Sequence, residues 1–370
     1  MGIFRLLLAL SVTTGHMGKA ILGFHQLRPD IAVQSFYIIS GFYMALILNE
    51  KYNRPHDYGI FIWQRFLRIY PTYAIILVII MVTEAVIRNG SPLNCWDGWI
   101  KYGPHLSLFS AGFLALINII ILGQDWTLFL ALNPDTGNLY GTTQFQHESF
   151  PTYVFLFCRP SWSLGLELLF YLMAPFLVRR SVKLQLSVIA ASLGLRLVLA
   201  AFFHLGGDPW SYRFFPTQLG IFMAGSVGYQ AYRCYGPQLA AFMKGKSWLA
   251  WIYWLSIFVY SRIPGDEDIR ANCFLALTAI MVPVLFVAYQ KNAIDRAIGE
   301  LSYPLYLLHF LVLYLFAPIY HNPFYSVACI TFALLAAYLF YHFIEGPLEN
   351  YRASLFRRER KKEAEAVQAT

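Results

Sequence analysis

The sequence predicts an all-α protein: a polytopic transmembrane bundle of about ten crossings with both termini on the cytoplasmic side. Three observations carry that expectation. First, the 370 residues are 58% apolar and only 13% charged, about half the ~25% charge of an ordinary soluble domain. A water-soluble fold with so few charges would expose large apolar patches, and a disordered chain would be far poorer in apolar residues. Second, the apolar residues fall in stretches of about 20, the length a helix needs across a bilayer, whereas barrel strands need about half of that. Third, Lys and Arg gather in short connections and at the C-terminal end, as they do in cytoplasmic loops.

Taken in order, eleven apolar runs can be read at 3–22, 31–49, 69–87, 105–122, 160–178, 184–205, 214–232, 248–262, 271–289, 301–319 and 324–344. The tail after Glu349 is strongly basic and is placed in the cytoplasm. Counting back, Lys291 and Arg296, then Arg233, Lys244 and Lys246, then Arg179, Arg180 and Lys183 fall on the same side. The acidic Asp266-Glu267-Asp268 connection and the turn at 206–209 fall outside. Lys51, Arg54, Arg65 and Arg68 make the second connection cytoplasmic, which places the N-terminus there too. Both ends inside require an even number of crossings, so one run does not cross. The choice is 105–122, read as re-entrant or surface-lying, with the polar 123–159 stretch as the main extracytoplasmic loop. Residues 1–351 form the membrane domain and 352–370 a basic cytoplasmic tail at an anionic lipid surface.

The net charge of +8 does not indicate nucleic acid, because the basic residues sit in loops and in the tail. Five cysteines stand singly with no Cys-x-x-Cys pair, which argues against a zinc site or a disulfide framework. The first run begins at once and carries Arg5 and His16 within it, unlike a cleavable signal.

Ionisable residues inside spans are costly and are functional candidates by default. Arg5 and His16 lie about three turns apart on one helix, roughly 16 Å of rise. With Arg5 at the cytoplasmic boundary, His16 lies near mid-membrane, where a neutral imidazole can take a proton from a hydroxyl. The plainer alternative is a histidine bonded to a carbonyl within the bundle. Arg65 and Arg68 share a face where the third span begins, suited to phosphate or carboxylate, or equally to plain anchoring. Pro71 falls early in that span, where a helix tolerates proline. Glu167, in the fifth run, can orient His16, pair with an arginine or bind substrate. Glu84, Arg196 and His309 read as pairing or snorkelling groups.

Six stretches in order resemble the motifs of the acyltransferase-3 family of integral membrane acyltransferases. They are the Arg5/His16 pair, AVQSFYIISGF at 32–42, QRFLRIYP at 64–71, WSLGLELLFYL at 162–172, IGELSYPLYLLH at 298–309 and FIEGPLENY at 343–351. In the fifth of these, Ser302, Tyr303, Tyr306 and His309 occupy the matching positions. One departure is Gln34, which stands where many members carry an acid; a carboxamide can hydrogen-bond an imidazole but cannot balance its charge.

The resemblance implies transfer of an acyl group, most often acetyl, from acyl-CoA as co-substrate to a hydroxyl of a glycan or lipid-linked glycan, in a bacterial cytoplasmic membrane. It implies His16 and Glu167 as catalytic residues and Arg5, Arg65 and Arg68 as donor-binding residues. Gln34, Ser40, Trp162, Ser163, Tyr303 and His309 are implied to position substrate. No bound cofactor, metal or nucleic acid is expected; membrane lipids are. Direct transfer and transient acylation of His16 both stay open. A transporter would use similar intramembrane groups, but no inverted repeat or matched pair of broken helices is evident. A non-catalytic component of glycan export is the third reading.

Overall fold

The computed structural model describes residues 1–19, 26–52, 54 and 57–354. They form thirteen helices: α1 Gly2–Met17, α2 Pro29–Glu50, α3 Asp57–Val86, α4 Asp97–Tyr102, α5 Leu108–Ile120, α6 Trp162–Leu177, α7 Val182–Phe203, α8 Phe215–Met243, α9 Trp248–Val259, α10 Glu267–Tyr289, α11 Ala293–Glu300, α12 Ser302–Phe316 and α13 Tyr325–Phe340. Among the described residues, each of the eleven apolar runs coincides with a helix; residues 20–22 of the first run lie outside them. The helix ends follow local chemistry. Gly18, at φ 65°, closes α1 in the left-handed conformation that a side chain disfavours. Pro29 opens α2, and the Asp266 carboxylate accepts from the N–H groups of Asp268 and Ile269 to cap α10.

Six stretches are long and apolar enough to cross a bilayer: Pro29–Glu50, Asp57–Val86, Val182–Phe203, Glu267–Tyr289, Ala293–Ile319 and Tyr325–Ser354. Two further apolar helices, α1 and α5, are shorter. At 13 residues, α5 rises about 20 Å, well short of the ~30 Å hydrocarbon core. Length and composition thus qualify six crossings, against the ten reached by counting apolar runs and removing one by charge parity. Outward-facing positions are strongly apolar: α7 presents Leu186, Leu193, Leu197 and Phe202 to its surroundings, as a lipid-facing helix does.

Several elements differ from the hydropathy reading; α8, for one, runs on to Met243, past the apolar run that ends at 232. The third helix begins at Asp57 rather than near 69, because polar residues continue the helix below the apolar run. Arg65, Arg68 and Pro71 therefore lie inside α3, two to four turns from its start, and not at its first turn. The polar loop also departs from an all-helical chain: Leu130–Leu132 pairs antiparallel with Leu139–Gly141. The basic tail falls outside the described residues beyond Ser354.

The core is built by faces of consistent helical spacing, such as Phe4, Leu8 and Val12 of α1 and Tyr73, Ile76 and Ile80 of α3. A close backbone approach joins α2 to α8. A Cβ at Gly41 would stand 1.8 Å from the Phe222 carbonyl oxygen, and one at Gly225 would stand 1.8 Å from that of Ile38. Such small-residue contacts let membrane helices pack backbone to backbone. At the opposite end of α1, the Asp295 carboxylate accepts from the N–H groups of Gly2 at 2.7 Å and Ile3 at 3.0 Å. It thereby satisfies two of the donors that a helix start leaves open and fixes α1 to α11.

Candidate active site

A cavity of about 410 Å³ lies among α1, α2, α3, α6, α11 and α12. Arg5, Arg65, Arg68, Arg296 and Glu300 line it together with Ser40, Glu167, Tyr171, Tyr303 and Glu345. Val33, Tyr37, Ser163 and Tyr306 line it as well. Among the expected site residues it thus unites Arg5, Arg65, Arg68, Ser40, Glu167, Ser163 and Tyr303. It does not reach His16, His309, Gln34 or Trp162.

The arginines come from α1 and α3. Arg65 and Arg68, three residues apart, share a face of α3 as the sequence spacing requires. Among the described residues, the guanidiniums of Arg5 and Arg68 have no hydrogen-bond or ion-pair partner, and Arg65 Nε is buried without one. Opposite them, Glu345 Oε2 is likewise buried and unpartnered, in a π-helical turn spanning Tyr341–Glu345. Such turns recur where a helix must redirect a functional side chain. Arg68 attracts the carboxylates of Glu300, Glu345 and Glu349 here, without a direct bond among the described residues.

In the same lining, α2 and α6 converge. Glu167 accepts a 2.8 Å bond from Ser40 Oγ and a second from the Tyr171 hydroxyl. No bond joins Glu167 to His16 among the described residues. The Ser163 and Tyr306 hydroxyls meet at 2.7 Å, and the Tyr306 hydroxyl also donates to the Pro160 carbonyl at 3.2 Å. This clasp forms part of the cavity lining.

Beyond the clasp lies the histidine. His16 occupies the last turn of α1 and is exposed, whereas His309 of α12 is completely buried. Their rings lie near-parallel with centroids 5.1 Å apart, with His16 Nδ1 3.1 Å from His309 Nε2 and His309 Nδ1 2.6 Å from the Tyr306 carbonyl oxygen. Phe310 packs against both rings at 4.8 and 4.7 Å. Gln34 takes no part: its amide donates to Gln218 Oε1 at 2.9 Å. A second cavity of about 220 Å³, lined by Thr14, Gly15, Lys19, Gln26, Arg28 and Arg270 among others, adjoins the same turn of α1.

Trp162 leads to a residue the sequence reading missed. The Arg213 guanidinium lies 4.3 Å from the Trp162 ring and 4.9 Å from that of Tyr212, within cation–π range. Its Nε donates to Asp208 Oδ1 at 2.7 Å. A signal was available: Arg213 stands on the side assigned as extracytoplasmic, against the positive-inside pattern. Asp125 was also passed over. In the turn Gln124–Leu128, burial pushes its carboxyl up to about 7, and its Oδ1 has no partner.

Among the described residues no group of three His, Cys, Asp or Glu is placed to hold a metal ion. A family model described as an acyltransferase domain, that of the acyltransferase-3 family, matches residues 3–342. No curated protein and no solved structure matches this chain.

Proposed function

The chain belongs to the acyltransferase-3 family of membrane acyltransferases, and from that premise we propose the reaction it catalyses. It moves an acyl group, acetyl by preference, from cytoplasmic acyl-CoA to a hydroxyl of a cell-surface or exported carbohydrate in a bacterial inner membrane. One observation carries the reading: Arg5, Arg65 and Arg68, none of them in an ion pair with a carboxylate among the described residues, converge on one cavity. Such guanidiniums fit a phosphorylated donor, because each can form charge-assisted bonds to phosphate oxygens. Charge along the loops puts these arginines on the cytoplasmic side, where acyl-CoA is made available.

In this reading the pantetheine arm enters along Ser40 and Glu167, and the thioester is drawn towards the clasp of Ser163 and Tyr306. His16, exposed on the far side, meets the acceptor. Its imidazole removes the acceptor proton as the oxygen attacks the thioester carbonyl. The polar cavity beside Thr14 and Arg28 lies next to that exposed ring and suits a hydroxyl-rich ligand. Opening of the clasp joins the two compartments for transfer. The test is CoA release from acetyl-CoA by the purified protein in lipid nanodiscs, read with a thiol reagent. His16→Ala is expected to lower it by about 10²- to 10⁴-fold, the usual contribution of a general base. Full turnover by the variant would refute the assignment; solute uptake independent of CoA would favour a transporter instead.

A further inference from the structure

We propose that His309 is the positioning residue of this site, fixing which nitrogen of His16 carries the reactive lone pair. The inference rests on the reading of His16 as the base. It begins from a carbonyl oxygen, which can only accept hydrogen bonds. The 2.6 Å contact of His309 Nδ1 with the Tyr306 oxygen therefore places a proton on that nitrogen. A ring carrying this single proton presents a lone pair at Nε2. His16 Nδ1, 3.1 Å away, must then be the donor of the bond between the two rings. His16 is left with its lone pair on Nε2, at the ring edge turned away from His309.

This order of protons solves a problem that the sequence posed. A catalytic histidine commonly owes its tautomer to a neighbouring acceptor, most often a carboxylate. Here Gln34 donates to Gln218 and Glu167 accepts from Ser40 and Tyr171, and neither bonds His16 among the described residues. A second imidazole does so, anchored by a backbone carbonyl of its own helix and held between Phe310 and Tyr306. The chemistry balances without any proton leaving Nδ1. The acceptor O–H bond breaks as an N–H bond forms at His16 Nε2, and the acceptor oxygen attacks the thioester carbonyl. The C–S bond then breaks, and the departing thiolate takes the Nε2 proton. While His16 is protonated, its Nδ1–H bond to His309 becomes charge-assisted and strengthens.

The experiment has two arms on the full-length protein in nanodiscs. In the first, ¹⁵N-histidine spectra, with His16 and His309 assigned through His16→Gln and His309→Gln, are expected to show both rings protonated at Nδ1. A His16 proton on Nε2 would overturn the proposal, and this readout does not depend on turnover. In the second, CoA release from acetyl-CoA is measured for His309→Leu and His309→Gln. Loss of the acceptor in His309→Leu is expected to lower kcat about 100-fold and leave the KM for acetyl-CoA unchanged. His309→Gln, whose carboxamide oxygen can accept from Nδ1, is expected to recover about tenfold of that loss. Equal turnover by His309→Leu and the parent, or no difference between Leu and Gln, would overturn it. Absence of turnover in the parent protein would instead refute the proposed reaction, with the spectra still deciding the tautomer.

Discussion

Replacing Gly41 by alanine tests whether the contact between α2 and α8 sets the geometry of the site. A Cβ there would lie 1.8 Å from the Phe222 carbonyl oxygen and 2.7 Å from its carbon. An ordinary C–H···O contact is about 3.3 Å, so the helices must part by about 1.5 Å or the residue must be strained. Overpacking of this kind costs about 1–3 kcal/mol. Ser40 is the adjacent residue on α2, and its 2.8 Å bond to Glu167 moves with the backbone. Both apparent Tm and CoA release are therefore expected to fall together. The reciprocal change, Gly225→Ala, meets the Ile38 oxygen at the same 1.8 Å. One separation of the helices relieves both, so the double variant is expected to cost clearly less than the sum. Thermal unfolding in nanodiscs, followed by tryptophan emission, reads the stability of all three. Unchanged Tm and turnover in Gly41→Ala, or strictly additive losses in the double variant, would refute the argument.

Three further outcomes are expected. Arg68→Gln should raise the KM for acetyl-CoA by about 10- to 100-fold, the worth of a hydrogen bond to a charged group, while Arg68→Lys should raise it less; an unchanged KM would remove Arg68 from the donor site. Asp125 carries a carboxyl raised to about 7 by burial, above its unfolded value, so its neutral form favours folding. Stability should accordingly fall as pH rises towards and through 7, and Asp125→Asn should flatten that dependence and raise the apparent Tm at pH 8 by several degrees. A pH profile identical to the parent's would count against this. Gly165→Ala should reduce stability by about 1–2 kcal/mol, because its Cβ would come within 3.2 Å of both Asp125 Oδ1 and the Ile121 carbonyl; a neutral effect would mean that this turn yields freely.

The sequence made some of this legible and could not make the rest so. Hydropathy located every apolar helix, because burial in lipid demands uninterrupted apolar runs. It missed the first three turns of α3, where polar residues keep the backbone helical without an apolar run, and so it put Arg65 and Arg68 at the helix start rather than within it. The Ser40-Gly41 pair could be singled out as a motif. Its division of labour needed coordinates: the serine bonds a carboxylate, and the glycine admits a neighbouring backbone. The candidate cavity followed in the same way, since spacing along one helix predicts a shared face but not which faces converge. The pairing of His16 with His309 lies across 293 residues and is set by how α1 docks on α12. Nothing local in either segment announces it. Arg213 was hidden by a rule that treats most arginines as topological markers.

The clasp between Ser163 and Tyr306 also has an electrical consequence. A membrane's voltage drops across whatever insulates one aqueous compartment from the other. In the proposed orientation, with the cavity open to the cytoplasm, solvent carries that side's potential inward as far as Tyr306. His16, outside the cavity lining, then sits closer to the opposite potential. The field is thereby compressed into the few ångströms around Tyr306 and His309 rather than spread over the full ~30 Å of hydrocarbon. A proton moved across that section would do work of about 2.3 kcal/mol per 100 mV. Turnover in sealed vesicles should thus respond to an imposed potential, and in detergent the same protein should lose that response.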